Sequence, residues 1–481
     1  MIKSLKTLLS DSLIYGISGI LRSMIGIFLI PFYTRIFSPE EYGIISIITT
    51  TFFLIGLLAV CGLDNSAHRW YYDNEDLIDR KKTFSTWALF QLALSVLFSL
   101  LILLFSPIFS DLLLGSSEKS FLFIFPSLSL ITGVLPAVVS NWYRVQRKPL
   151  ATIVFTFFQT LVTVGCTILF VNVFQWGING IFGALTVSSL IFTLIAIQQM
   201  RGWLSFKYFS QSRLFDMMKF SLPLIPAALS FWLLNNTDAY FISFFKNKTE
   251  VGLFAIGASL ASVMSLFTGA FQQAWGPFAF SIINNVDARE IYAKVFLIYG
   301  YCIAFLAACF LMFAPEALML FTTPEYFESA WVTGILSYNL MFIGFSYIAI
   351  IGISISKTTS PYAIAMLYAT IVTIGLNILL IPTWGKEGSA LATLVAQIIV
   401  PVYLFHKGQK NYFIPYEFKK VILIILVFAA IGLIARFIPF SSFIVQVLFK
   451  VLLALLMLVL IIQFNKSYLI VLYKKSIKKL Y

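Results

Sequence analysis

Charged side chains are scarce in this chain. Of its 481 residues, 11% are Asp, Glu, Lys or Arg, and 60% are hydrophobic. A soluble domain carries roughly 25% charged residues. The scarcity therefore excludes an ordinary water-soluble protein and directs attention to the lipid bilayer.

Residues that build metal and nucleotide sites are also few. The chain has two histidines and four cysteines, and the cysteines lie within apolar segments without the spacing of metal ligands. Two histidines make a histidine-based zinc site improbable. The G-x-x-x-x-G-K-[ST] phosphate-binding motif is missing, which argues against ATP hydrolysis. We expect no cofactor, no metal and no enzymatic activity.

Apolar runs of about 20 residues dominate what is present, and runs of this length are typical of transmembrane helices. The loops between them are short. We therefore predict an all-α polytopic membrane protein with about 14 transmembrane helices. The predicted spans are approximately residues 12–34, 42–63, 84–106, 119–141, 150–174, 178–200, 218–245, 251–275, 292–313, 329–350, 361–381, 386–406, 419–438 and 442–464.

The chain repeats itself at a spacing of 208 residues. Trp176-Gly-Ile-Asn-Gly180 recurs as Trp384-Gly-Lys-Glu-Gly388, and Leu104-Phe-Ser-Pro107 recurs as Met312-Phe-Ala-Pro315. Residues 33–43 and 241–252 match at nearly the same spacing, with one residue inserted. We therefore predict an N-terminal six-helix bundle over residues 1–208 and a second over 209–410. Residues 411–481 would add two helices and a basic tail. Such doubling is typical of transporters with a substrate path between the halves.

The net charge of +13 would suggest nucleic acid as the partner of a soluble protein. Here its distribution points to the membrane instead. With the N-terminus inside, 25 of the 33 Lys and Arg residues fall on the inner side. The positive-inside rule thus predicts cytoplasmic N- and C-termini and a parallel orientation of the two bundles. Six cations fall in outer loops: Arg35, Lys119, Lys246, Lys248, Lys386 and Arg436.

Polar residues inside the predicted spans are the candidate functional residues. Arg22 lies ten residues into the first span, where a charge costs at least ~2.5–3.5 kcal/mol. Asn235, Asn236 and Asp238 lie in the seventh, and Asn235 and Asp238 share a helical face. Function and a structural ion pair both remain open for these residues. At the repeat spacing Arg22 corresponds to Ser230 and Asp238 to Ile30, so each charge occurs in only one copy.

Two further groups of candidate residues are identified by their positions in the predicted spans. Asp64 and Arg69, with His68 between them, lie at the inner end of the second span and could line a cytoplasmic vestibule. Arg69 could equally be an ordinary inner-leaflet anchor. Gly16 and Gly19 in the first span face Pro223 and Pro226 in the seventh across the repeat, and such paired interruptions predict hinges in moving helices.

Longer motifs resemble a known family. The runs Pro31-Phe-Tyr-Thr-Arg35-x-Phe-Ser-Pro-Glu-Glu-Tyr42-Gly43, Gly62-Leu63-Asp64 and Arg69-x-Tyr71-Tyr72 resemble Wzx-type O-antigen and polysaccharide flippases. So do Asn236-Thr-Asp238-x-Tyr-Phe-Ile242 and Glu250-Val-Gly252-Leu-Phe254. That family belongs to the MOP superfamily, together with MATE exporters and the lipid II flippase, and its plan is 6 + 6 + 2 helices.

The resemblance implies a flippase of an undecaprenyl-diphosphate-linked oligosaccharide, working by alternating access in the bacterial inner membrane. Arg22 and Arg69 would bind the diphosphate, Asp64, Asn235 and Asn236 the polar substrate, and Asp238 a coupling proton or sodium ion. A polysaccharide polymerase and a chain-length regulator are the expected protein partners. Two alternatives stay open: a MATE-like exporter of small molecules, and a non-transport scaffold of a polysaccharide assembly complex.

Overall fold

The fold is built from helices alone in the part of the chain that the computed structural model describes, which is residue 26 and residues 28–73, 75–355, 360–438 and 442–464. Helices satisfy every backbone polar group internally, which a segment in hydrocarbon requires. We number them α1 (28–36), α2 (Pro39–Val60), α3 (Leu63–Asp73), α4 (Leu77–Leu104), α5 (Ser106–Leu114), α6 (Ile124–Thr132), α7 (Val134–Val145), α8 (Pro149–Ile168), α9 (Ile178–Gln199), α10 (Gln211–Ser221), α11 (Ile225–Asn236), α12 (Asp238–Phe245), α13 (Lys248–Ala261), α14 (Met264–Ser281), α15 (Ala288–Phe321), α16 (Ala330–Ser354), α17 (Ser360–Asn411), α18 (Phe418–Phe437) and α19 (Phe443–Phe464).

Eleven helical stretches are long and apolar enough to cross a membrane, or twelve if the bent pair α13 and α14 forms one span. The prediction of an all-α polytopic membrane protein is confirmed. Fourteen spans are compatible with this number, because α17 covers two predicted runs in 52 residues. The first predicted run, 12–34, lies mostly outside the described residues.

The described residues form two compact units. One contains the residues up to Ala255 together with Ile374–Ser389, and the other contains Ile256–Thr373 and the residues from Ala390 onward. The division at 208 and 410 that the repeat predicts stays a prediction.

Hydroxyl groups connect the helices of the first unit. Ser99 of α4 donates to the carbonyl of Ser127 in α6 at 2.8 Å, and Thr186 of α9 donates to that of Phe125 at 2.8 Å. Phe84, Trp87 and Trp142 form part of the apolar core around them. In a low-dielectric interior such bonds fix helix register as well as proximity.

The repeat is visible in the backbone. Gly177 and Gly385, the glycines of the two Trp-Gly motifs, have φ/ψ of 54°/−133° and 53°/−132°. This region is open essentially to glycine alone. Gly385 kinks α17, whereas Gly177 precedes α9. The Trp-Gly motif therefore has the same backbone conformation at its glycine in both copies.

Two glycines from the matched segments 33–43 and 241–252 meet where α2 and α13 cross. A Cβ on Gly43 would overlap the Lys248 carbonyl, and a Cβ on Gly252 would overlap the Pro39 carbonyl. The crossing brings one backbone against the other and has no room for a side chain at either glycine.

The second unit packs α15 against α16, α18 and α19. Its apolar core includes Tyr292, Phe296, Phe345 and Phe428. The two C-terminal helices thus pack on the long helix α15. Arg436, near the end of α18, places its guanidinium 3.6 Å from the ring centroid of Trp331 and donates to the Ala330 carbonyl at 3.0 Å.

Candidate functional site

Asp238 is the centre of a buried polar network in the first unit. It begins α12, directly after Thr237 interrupts the helix, and is 3% exposed. Asn377 Nδ2 donates to Asp238 Oδ1 at 3.1 Å, and Ser389 Oγ donates to the same oxygen at 2.7 Å. Ser389 Oγ also lies 3.3 Å from Asn377 Oδ1. A carboxylate, an amide and a hydroxyl thus converge with both partners fully buried.

The kink in α17 builds this network. Asn377 and Ser389 are twelve residues apart, a distance of roughly 18 Å along a straight helix. The change of direction at Gly385 brings them to the same carboxylate. The Trp-Gly motif of the second copy therefore brings Asn377 and Ser389 to Asp238.

Neither Asn377 nor Ser389 was predicted from the sequence. The signals were an amide inside the apolar run 361–381 and a serine one residue after the Trp-Gly motif. At the 208-residue spacing they correspond to Leu169 and Ile181, as Asp238 corresponds to Ile30. All three members of the network are apolar in the first copy.

The neighbouring amides bond to their own helix. Asn235 donates to the Phe231 carbonyl at 2.8 Å, and Asn236 to that of Trp232 at 3.1 Å. Both are partly exposed, unlike Asp238. Their role in substrate binding stays a prediction.

Asp64 and Arg69 lie on α3. Asp64 is half-buried, accepts from Asn65 at 3.2 Å and lines a cavity of about 500 Å³ in the first unit. Arg69 is exposed, with its guanidinium 5.6 Å from the ring of Phe220 in α10. Asp64 thus faces an internal space, whereas Arg69 stacks at the surface on an aromatic ring.

Pro223 and Pro226 lie where the helix is interrupted, as the predicted hinge requires. A short 3₁₀ segment, Leu222–Leu224, separates α10 from α11, and Pro226 lies in the first turn of α11. Hinge motion itself stays a prediction. Gly16, Gly19 and Arg22 lie outside the described residues.

Metal-ligating side chains do not gather within the described ranges: no group of three or more His, Cys, Asp or Glu residues could hold an ion there. The four cysteines are free thiols.

Comparison with known proteins places this geometry in context. Residues 8–283, more than half of the chain, match the family described as "Polysaccharide biosynthesis protein". The chain is 22% identical to Lsg locus putative protein 1 of Haemophilus influenzae over 366 residues, which cover 74% of this chain and 83% of that protein.

Two solved structures share the fold. Lipid II flippase MurJ in an inward closed conformation superposes with a TM-score of 0.77 at 16% identity, covering 95% of this chain and 100% of that one. An inward-facing multidrug resistance MATE family transporter of the MOP superfamily gives 0.62 at 15% identity, covering 81% and 94%. At these identities the likeness establishes the fold, which is shared by a flippase and an exporter.

Proposed function

Because this chain belongs to the polysaccharide biosynthesis protein family, we propose that it flips a lipid-linked oligosaccharide across the bilayer. The proposed substrate is an undecaprenyl-diphosphate-linked repeat unit for O-antigen, capsule or another exopolysaccharide, moved from the cytoplasmic to the outer leaflet. The observation that carries the proposal is the fold shared over almost the whole chain with a lipid II flippase. Family and fold together favour transport of a lipid-linked sugar over catalysis.

Such a substrate has to bring a diphosphate and a glycan through hydrocarbon. The diphosphate calls for cationic donors, and arginine presents a planar fork of N–H groups that suits it. Arg22 and Arg69 are the proposed donors, with Asp64, Asn235 and Asn236 binding polar parts of the substrate. Alternating access would expose the site to each side in turn, bending at Gly16, Gly19, Pro223 and Pro226.

The Asp238 network is the proposed coupling site. Carboxylate, amide and hydroxyl oxygens are hard donors that suit a small cation, and a buried carboxylate can instead take up a proton. Intramembrane carboxylates mark ion pathways by default. Binding of sodium or a proton would change the charge at α12 and thereby couple the ion gradient to movement.

The setting of this activity is the bacterial inner membrane, with both termini in the cytoplasm as the charge distribution predicts. A polymerase and a chain-length regulator would act on the flipped repeat unit. They are proposed as partners because a repeat unit in the outer leaflet has to be joined into polymer.

Arg22 gives the first test. Arg22→Ala is expected to abolish surface display of the glycan while the protein still accumulates in the membrane, because the diphosphate loses its principal donor. Arg22→Lys, which keeps the charge without the fork, should retain partial display. Surface glycan is measured on whole cells and protein amount by immunoblot, with the exposed Arg35→Ala as control. Normal display by Arg22→Ala would remove the diphosphate role.

Asp238 gives the second test. In proteoliposomes, a sodium or proton gradient is expected to accelerate lipid-linked oligosaccharide flipping by the wild type and to leave Asp238→Asn unaffected. Gradient-free flipping should persist in the variant, because the amide keeps the shape of the site. Asp111→Asn, at an exposed carboxylate of α5, is the matched control. A wild type indifferent to both gradients would contradict ion coupling.

A MATE-like ion-coupled exporter of small molecules is the second candidate, because the same fold occurs in a multidrug transporter. Export of small cations would raise drug resistance without changing surface glycan. Deleting the gene separates the two: loss of glycan with unchanged drug susceptibility favours the flippase.

A further inference from the structure

The 500 Å³ cavity in the first unit is lined by two buried polar groups that lack a hydrogen-bond partner among the described residues. Gln91 and Ser95, one turn apart on α4, line it together with Asp64, Asn65 and Ser129. Gln91 is 6% exposed and Ser95 1%. Among the described residues, Gln91 Oε1 and Ser95 Oγ have no hydrogen-bond partner. An unsatisfied buried polar atom costs free energy, so this pair needs an explanation.

Three other buried hydroxyl side chains on the same helix have partners. Ser85 donates to the Trp203 carbonyl at 2.7 Å, Thr86 accepts from the Ser210 backbone at 3.1 Å, and Ser99 donates to the Ser127 carbonyl. Among the described residues of α4, Trp87 Nε1 also lacks a partner, but it belongs to the apolar core, whereas Gln91 and Ser95 line the cavity. On α4, the hydroxyl groups of Ser85, Thr86 and Ser99 thus form hydrogen bonds within the protein. Gln91 Oε1 and Ser95 Oγ, which lie between them in sequence, can form hydrogen bonds with a ligand.

The second copy fills the corresponding position. At the 208-residue spacing Gln91 corresponds to Tyr299 and Ser95 to Ile303, both buried. The Tyr299 ring centroid lies 4.2 Å from that of Phe271 and 5.3 Å from that of Phe345. The Tyr299 hydroxyl also lacks a described hydrogen-bond partner, but its ring packs against other aromatic rings. The pair of Gln91 and Ser95 lining a cavity is therefore specific to the first copy.

We propose that this cavity binds a sugar ring of the lipid-linked substrate, with Gln91 and Ser95 as hydrogen-bonding residues. This inference rests on the proposed flippase function and assigns the glycan to one place in it. The lining offers acceptors at Gln91, Ser95 and the Asp64 carboxylate, which match the hydroxyl donors of a sugar. The volume falls within the ~300–1,000 Å³ range of small-ligand pockets.

The test compares sugar-bearing and sugar-free lipids on the purified full chain in lipid nanodiscs. The probes are undecaprenyl diphosphate and its glucose-, galactose- and N-acetylglucosamine-linked forms, with affinities from native mass spectrometry. At least one sugar-linked form should bind the wild type more tightly than the sugar-free lipid. Gln91→Leu and Ser95→Ala should each weaken that form about two- to tenfold, the factor for one neutral hydrogen bond, and spare the sugar-free lipid.

Two further variants serve as controls for the effects of Gln91→Leu and Ser95→Ala. Ser99→Ala, on the same helix but bonded to Ser127, should change neither affinity. Gly56→Leu approaches the cavity from α2, where a Cβ would meet only Leu130 Cδ1 at 3.8 Å. It should fill the cavity and reproduce the loss for the sugar-linked form without involving α4.

The outcomes separate the two proposals. Equal affinity of the wild type for all four lipids, or equal weakening of both lipid classes in Gln91→Leu, would overturn the sugar site and leave a flippase that recognises the diphosphate. Failure of the wild type to bind any of the four lipids would overturn the proposed function itself.

Discussion

Lys450 is a fully buried cation in α19, and α15 of the same unit supplies two acceptors for it. Its Nζ donates to Glu316 Oε1 at 2.6 Å and to the Met312 carbonyl at 2.8 Å. Both acceptors belong to α15. A charge inside a membrane helix is expensive, and pairing within the protein lowers that cost. The pair therefore fastens α19 to α15.

Breaking this pair should be costly, whereas removing both charges should be tolerated. Glu316→Ala leaves Lys450 buried without its carboxylate, and a loss of about 3–5 kcal/mol in the free energy of unfolding is expected. The double variant Glu316→Leu with Lys450→Met should recover most of it, because no charge remains to be desolvated. Thermal unfolding in detergent measures both.

Helix α15 also supplies the control for the buried ion pair. Lys294 and Glu290 form an exposed ion pair on α15 at 3.8 Å. Exposed pairs contribute roughly 0–1 kcal/mol, so Lys294→Ala should scarcely shift the midpoint. If Glu316→Ala proves as mild as Lys294→Ala, the buried pair does not hold α19.

Sequence reasoning found one member of the Asp238 network and missed two. Asp238 could be found because a charge in an apolar run is rare. Asn377 and Ser389 could not be assigned, since uncharged polar residues in transmembrane helices commonly bond to their own backbone, as Asn235 does. Only the kink at Gly385 decides which of them face the carboxylate.

Matching motifs of the two copies do not always form the same secondary structure. Pro107 lies in the first turn of α5, where the chain breaks after α4, whereas its counterpart Pro315 lies inside the continuous helix α15. Lys450 donates to the Met312 carbonyl in the turn before Pro315. The sequence repeat thus predicts which positions correspond. Whether the helix continues through such a position depends on the contacts of each copy.

The crossing of α2 and α13 offers a test of the matched glycines. Gly43→Ala and Gly252→Ala should each destabilise the protein by about 1–3 kcal/mol, because the added Cβ meets backbone that cannot move aside. The double variant should cost less than the sum, since the first methyl already separates the helices and the two sites are in contact. Unfolding in detergent measures all three.

Gly165→Ala in α8 is the matched control, because a Cβ there meets nothing within 4 Å. It should leave the midpoint unchanged or raise it through better helix propensity. Additive losses in the double variant would show that the two glycines act independently and that the close crossing is not maintained.

Composition and hydropathy were sufficient to predict the class of the whole molecule. Each apolar run from 42–63 onward coincides with a described helical stretch, although α13 and α14 share one run across a bend of 46°. Bends, 3₁₀ turns and the kink within α17 could not be predicted, because hydropathy averages over a window longer than these features. The division into units was equally inaccessible, since it depends on contacts far apart in sequence.

Three of the six predicted outer cations make contacts within the first unit. Lys119 lies 3.9 Å from Glu40, Lys248 donates to the Leu113 carbonyl at 2.7 Å, and Lys386 pairs with Glu250 at 2.9 Å. Lys82 lies near the start of α4, a helix roughly 42 Å long whose far end leads toward this group. The contacts of Lys119, Lys248 and Lys386 are compatible with a shared side for these three residues, and the orientation of the chain stays a prediction.

Cysteine labelling decides that choice. With a membrane-impermeant maleimide on intact cells, Lys119→Cys should react and Lys82→Cys should react only after lysis, because the positive-inside rule assigns the side rich in Lys and Arg to the cytoplasm. The unsubstituted chain, which carries Cys61 in the turn after α2 and three cysteines within helices, is the control for labelling of the native thiols. The opposite labelling would invert the topology, place Arg69 and Asp64 at the outer surface, and remove the argument that the vestibule on α3 receives its substrate from the cytoplasm.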